Sequence, residues 1–249
     1  MLTLAVSFLE YILAQSVFPD DSPSALILFD HLTRPQSQLK RNIWKELHEG
    51  AEDVAWEVRT EGAEYWLQMA WANFFRPHFD ELGTELFEIV ACNLGRAQNL
   101  FRSVGASSID GDSLSFGRGM VESRRQGSPK DGIGVLIDAA TELVQWAAVK
   151  RPKMLDFAIE AWFFSHGQLL RRLALFGLSE STTQHAGEKL KFLLKHDLLY
   201  KFGMKHETYL VIKAAYPLAS DEDRRSFLRS VPRRVLRLVR MLSITCFTG

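Results

Sequence analysis

A chain of 249 residues that is 47% hydrophobic holds enough apolar material for a continuous core, which excludes a disordered polymer. Its 30 basic and 30 acidic side chains cancel, so the overall charge gives no sign of a nucleic-acid-wrapping protein. Two cysteines, Cys92 and Cys246, exclude a disulfide framework, and no Cys/His cluster has zinc spacing; a reducing cytosol, with no metal and no cofactor, is the expectation.

The first segment places Leu2, Val6, Leu9, Leu13 and Val17 at steps of four and three, the spacing of one helical face. Leu2–Phe18 lacks the basic start of a signal peptide and carries Glu10 in its middle, so it reads as a core helix. Pro19 to Pro23 breaks it, Ser22 is a natural N-cap for a short helix through Leu32, and Pro35 ends that one. Further helices are predicted over Gln38–Glu49 and Ala63–Phe75. Pro77 suits the first turn of a long helix striped by Leu82, Leu86, Ile89, Asn93, Ala97 and Leu100, predicted to be the longest in the first half. From Ser103 to Gly132 thirty residues hold six glycines and seven serines with no helical period, which marks a loop or a boundary.

Helical periodicity resumes with Ile133, Leu136, Ile137, Ala140, Val144 and Ala147, stops at Arg151-Pro152 and restarts over Met154–Phe164. That last run is apolar nearly all round and is expected to lie between neighbouring helices. Breaks follow at Gly167, Ser179 to Thr183, Phe202-Gly203, Pro217 to Asp221 and Pro232, so each interval accommodates one helix. No segment joins β-branched alternation to hairpin turn chemistry. No apolar run approaches the roughly 18 residues of a membrane span. The expected fold is therefore all-α, with antiparallel helical hairpins stacked as an α-solenoid (HEAT/TPR-like superhelix). Its parts are an N-terminal helical subdomain (1–102), the Gly/Ser-rich loop or linker (103–132), a helical-hairpin subdomain (133–231) and a basic terminal helix or tail (232–249).

Catalytic signatures are missing at the level of spacing. The chain has no Walker phosphate loop, and Gly117-Arg118-Gly119 follows no strand. His48-Glu49 and His206-Glu207 lack the second histidine of a zincin, while His185-x-x-Glu188 is solitary and reads as a surface or capping pair. Cys92 sits in an apolar helical stripe with no charge partner close in sequence and reads as a buried small hydrophobe. The Tyr65-Trp66, Trp71 and Phe74-Phe75 cluster fits helix packing better than an aromatic platform. From Arg224 onward there are seven arginines and no acidic residue or lysine, which leaves residues 1–223 with 23 basic and 30 acidic groups, formally −7. Arg233, Arg237 and Arg240 would share one helical face, opposite Leu238 and Leu242. That pattern suits a solvated terminal face, a basic amphipathic helix for a membrane surface or acidic partner, or an out-of-frame tail.

Several phrases after the Gly/Ser segment carry a family resemblance. Ser115-Phe116-Gly117-Arg118-Gly119-Met120-Val121-Glu122, Leu136-Ile137-Asp138-Ala139-Ala140, Leu169-Leu170-Arg171-Arg172-Leu173-Ala174-Leu175, His206-Glu207-Thr208-Tyr209 and Ala215-Tyr216-Pro217 occur in the order and approximate spacing of one family. Over residues 115–217 the chain resembles the helical C-terminal, sensor-like regions of large bacterial anti-phage defence proteins of the STAND NTPase or sirtuin-domain type. Where the family phrase continues Pro-His-Glu-Gln-Asp, this chain has Ser123-Arg124-Arg125-Gln126-Gly127, so an acidic stretch has become basic. The resemblance implies a detached recognition module whose partner is a phage protein or the missing NTPase and effector domains.

Function is thus expected to be binding without catalysis, by a cytoplasmic module that also tends to self-associate. Thirty ordered loop residues would each lose about 1–2 kcal/mol of backbone entropy with little apolar burial in return, so the loop needs something to hold it. The recognition surface is accordingly expected on that loop and the polar residues of the following helices, chiefly Arg118, Glu122, Arg171 and Arg172; the plainer alternative is a linker between two helical subdomains. Arg171 and Arg172 lie about 100° apart on a helix, so one is expected to be structural and the other to point outward. Two rival readings are a small helical enzyme with a site assembled from Glu122, His166 and Arg171, and a remnant of a larger defence protein.

Overall fold

The computed structural model describes residues 2–41, 54–105, 121 and 132–230. Helix dominates, as the periodicities predict. Helix α1 (Leu2–Ala14) is followed by α2 (Ser22–Thr33), which has Pro23 in its first turn, where no amide partner is needed. The predicted helix over Gln38–Glu49 is not what forms at its start. Pro35–Arg41 is a strand, β1, paired antiparallel with β2 (Val54–Thr60) so that Pro35 faces Thr60 and Leu39 faces Trp56; residues 42–49 lie outside the described residues. The reason is visible in β2. Val58 and Thr60, two apart on the strand, share one face and are buried there, while Trp56 is 54% exposed. β1 has no apolar helical stripe of its own, and pairing satisfies the backbone groups on the edge that faces β2.

Helix α3 (Glu64–Ala70) runs into a π-helical turn (Trp71–Phe75) and a short 3-10 turn (Arg76–His78) holding Pro77. The long helix α4 (Phe79–Ser103) begins directly after it. Asn93 is fully buried on α4 and donates to Thr33 Oγ1 at 3.0 Å and Asp30 Oδ1 at 3.2 Å, which ties α4 to the end of α2. Cys92 is the neighbour that turns outward. It is exposed, not the buried hydrophobe expected, because it lies about 100° round the helix from the arc of Leu86, Val90, Asn93 and Ala97.

Helix α5 (Gly132–Lys150) lies against α4, with the start of one beside the end of the other: Lys150 pairs with Asp80 at 3.0 Å, and Trp146 covers Gly83. A Cβ at Gly83 would come within 2.6 Å of the indole, so the close approach of these helices requires glycine. By length and composition α5 could cross a membrane, but most of it is packed among its neighbours. Helices α6 (Pro152–Phe163), α7 (Gln168–Glu180), α8 (Ala186–Lys195) and α9 (Lys205–Ala215) follow, and residues 221–230 are helical. His185 and Glu188 form a capping box at the start of α8, a capping role of the kind read from their spacing. α6 does not lie wholly between neighbours as its composition suggests. It buries Leu155, Ile159, Trp162 and Phe163 while Phe157 and Phe164 face outward.

One apolar core runs from Leu13 to Val211 and takes in residues of β2 and of every helix from α1 to α9. A small separate cluster of Leu190, Ala215, Ala219 and Phe227 closes the C-terminal end of the described chain.

Candidate functional site

Of the four side chains expected to contact a partner, Arg118 and Glu122 lie outside the described residues, and the other two diverge. Arg172 is 2% exposed, and its Nε and Nη2 donate to Glu207 Oε1 of α9 at 3.1 and 2.9 Å; Glu207 is 0% exposed. Arg172 therefore belongs to the interior and not to a docking surface. Its position on the arc of Leu169, Leu173 and Phe176, all buried, is the signal that separates it from Arg171. The same Glu207 oxygen accepts the backbone N–H of Val121 at 3.0 Å, and the Val121 side chain is fully buried in the core. The Gly/Ser-rich segment is thus pinned at Val121 to an ion pair joining α7 and α9.

Arg171 is the outward neighbour. Its Nε donates to the Ser165 carbonyl at 3.0 Å, and its guanidinium stands 6.0 Å from the centre of the Phe163 ring. Around Phe163 gather Phe164, Phe192 and His196, with ring centres 4.7 Å from Phe163 to both Phe192 and His196. Burial holds the His196 imidazole below its ordinary value of 6.5, helped by the charges of Lys195 and Arg171. Above that ordinary value the folded and unfolded chains both carry neutral imidazole. As pH falls through it, the unfolded chain takes up the proton first, so stability is lost until the lower folded value is passed. The melting temperature should therefore decline on acidification through this window, and His196→Gln should flatten that part of the profile; an unchanged slope would remove His196 from the explanation. His166, the third member of the rival catalytic trio, is exposed.

A second constellation was hidden in the sequence among residues assigned to packing. A cavity of about 200 Å³ opens between the end of α3, its π-helical turn and α5, walled by Gln68, Trp71, Ala72, Arg76, Val135, Asp138 and Glu142. Glu142 organises it: its Oε2 accepts from Trp71 Nε1 at 2.8 Å and from Arg76 Nε at 2.7 Å, and Arg76 Nη2 reaches the other oxygen. This bidentate pair raises the Arg76 pKa further and fixes its planar fork. Asp138 stands one helical turn before Glu142 on α5, and Gln68 Nε2 donates to Glu64 at 2.7 Å. π-Helical turns recur at functional positions because the extra residue re-aims the side chains around it.

Helices α1 and α3 carry an exposed aromatic strip. Phe8 (63% exposed), Tyr11 and Ile12 of α1 and Tyr65 (62% exposed) and Met69 of α3 all face outward, and α1 packs on α3. Tyr11 meets the edge of Trp66 at 6.4 Å, and Trp66 meets Tyr65 at 5.1 Å. The packing role expected for the whole cluster holds for Trp71, Phe74 and Phe75, which are buried; Tyr65 and Met69 use the opposite side of the same helical segment. Among the described residues, no group of three or more His, Cys, Asp or Glu side chains could hold a metal ion.

Comparison of the chain with family models, with curated proteins and with solved structures gives no match.

Proposed function

We propose that this protein is a non-catalytic helical recognition module that binds a protein partner, and that its contact face is the strip formed by α1 and α3. The observation that carries this reading is the exposure of Phe8, Tyr11, Ile12, Tyr65 and Met69 on two helices joined through the ring contacts of Trp66 with Tyr11 and Tyr65. Exposed apolar side chains scattered singly need no explanation, whereas a joined patch rich in tyrosine is the composition of protein interfaces. The helices from α6 to α9 supply the scaffold, arranged in this reading as stacked hairpins of a short solenoid. The sequence resemblance over residues 115–217 supports a phage component as the partner class.

Capture experiments test the reading. The parent chain should retain a protein from extracts of phage-infected cells, and the double substitution Tyr65→Ala with Met69→Ala should lose most of it while circular dichroism stays unchanged. Phe157→Ala, on the exposed side of α6, should have no effect. Retention of every captured partner by the folded double variant would remove this face from recognition.

A further inference from the structure

We infer that the aromatic cluster joining α6, α7 and α8 binds an acidic peptide segment of a protein partner, with a carboxylate of that segment held by Arg171 and an adjoining apolar side chain laid on Phe164. The site shares no residue with the α1/α3 strip and rests on its own contacts.

Direct contacts make the cluster one surface. The Phe163 ring, at the end of α6, stands 5.4 Å from Phe164, 4.7 Å from Phe192 of α8 and 4.7 Å from His196, which follows α8. His196 also meets Phe164 at 6.0 Å and Phe192 at 4.6 Å. The Arg171 guanidinium, on α7, lies 6.0 Å from the centre of the same Phe163 ring. Phe163 is buried, whereas Phe164 leaves 62% of its surface to solvent. The cluster thus has a buried base and an open ring.

Arg171 supplies the charge. Its side chain is half-buried, and its Nε is taken by the Ser165 carbonyl at 3.0 Å. Among the described residues no hydrogen bond or ion pair engages Nη1 or Nη2. The bond at Nε fixes the plane of the fork and leaves its end free, and the two donors there match the two oxygens of a carboxylate. Arginine cannot shed its proton, so a half-buried guanidinium without a counter-ion gains from an arriving anion. The other charges acting on His196 agree in sign: Arg171 and Lys195 stand against Asp197, formally +1 with the imidazole neutral.

One short segment reaches both anchors. Phe164 and Arg171 each adjoin the Phe163 ring, and three residues of extended chain span about 10 Å, so a carboxylate and an apolar side chain one or two residues apart suit the pair. Aromatic rings beside an arginine are the composition that concentrates binding energy at protein interfaces. Nucleic acid, whose bases also stack on rings, is disfavoured here. Its backbone draws on several lysines and arginines, whereas Asp197 follows His196 directly and residues 1–223 hold 23 basic groups against 30 acidic.

The test titrates the full chain into two labelled glycine-serine peptides of about 12 residues, one with a central phenylalanine followed by glutamate and one with glutamine in place of the glutamate. Fluorescence anisotropy should show saturable binding of the glutamate peptide that weakens with added salt, and at least about tenfold weaker binding of the glutamine peptide. Arg171→Met should weaken the glutamate peptide by about tenfold and Arg171→Lys by less, because lysine keeps the charge without the fork. Phe164→Ala removes an exposed ring and should cost about fivefold, a loss that tests the site even where Arg171→Met disturbs folding. Melting curves check the folding of each variant. Phe157→Ala and the double substitution Tyr65→Ala with Met69→Ala should leave peptide binding unchanged. Equal binding of the two peptides, no saturation by about 1 mM chain, or a loss in Phe157→Ala as large as in Phe164→Ala would overturn the inference. A loss confined to the Tyr65 and Met69 variant would move the peptide to the α1/α3 strip, which overturns this site and leaves the recognition face standing. A single-stranded oligonucleotide that binds more tightly than the glutamate peptide, and is lost in Arg171→Met, would assign the cluster to nucleic acid instead.

Discussion

Replacing Arg172 by methionine should lower the melting temperature by about 6–20 °C. The figure follows from geometry and two magnitudes. Arg172 and Glu207 are buried together, so removing the guanidinium strands a carboxylate in the core, at a cost of about 3–5 kcal/mol. In a chain of this size each kcal/mol moves the midpoint by about 2–4 °C. Replacing both partners by apolar residues, Arg172→Met with Glu207→Leu, should recover part of the loss, since an ion pair and a well-packed apolar pair of similar volume often differ little. Recovery should be incomplete. Val121 N–H donates to the same Glu207 oxygen, and an orphaned buried amide costs about 1–3 kcal/mol. Hydrogen exchange provides the separate readout: the Val121 amide should lose protection in Glu207→Leu. A single Arg172→Met variant that melts within two or so degrees of the parent would show that the pair carries no such load.

Phe29→Ala should cost about 3–5 kcal/mol, the usual range for emptying a fully buried aromatic site. Phe29 sits on α2 with its ring centre 4.7 Å from Phe75 and 5.7 Å from Trp71, so truncation opens a hole between α2 and the π-helical turn. Because the core is continuous from Leu13 to Val211, calorimetry should show one transition displaced as a whole. A second transition left in place by the substitution would mean that the regions before and after the Gly/Ser-rich segment unfold separately.

The helices were legible where the signal is local. Ser22-Pro23 opens α2, Pro35 ends it, Pro77 precedes α4 and Pro152 opens α6, because proline acts through its own ring and its missing amide. The hairpin was not legible from β1, whose Gln-Ser-Gln-Leu-Lys-Arg has no alternation and is extended through its pairing with β2. The Val54, Trp56, Val58, Thr60 alternation was available, but without a hairpin turn signal it had no partner in sequence. Arg171 and Arg172 were separable in principle by the helical arc, which places Arg172 with Leu169 and Leu173. The strip of Tyr65 and Met69 was not, since aromatic and sulfur side chains at helical spacing look the same whether a neighbouring helix covers them or solvent does. The cavity required the third dimension: Gln68 and Arg76 meet Asp138 and Glu142 from opposite sides of a long stretch of chain.

Val121 reaches the interior from a point in the sequence 18 residues after Ser103, where α4 ends, and 11 before Gly132, where α5 begins. Its amide is held by a glutamate 86 residues further on, which is itself held by an arginine of α7. The buried amide at Val121 therefore acts as a fixed point of register: it ties three separate parts of the sequence to one carboxylate, so that a shift of any one of them along its neighbours is felt by the other two.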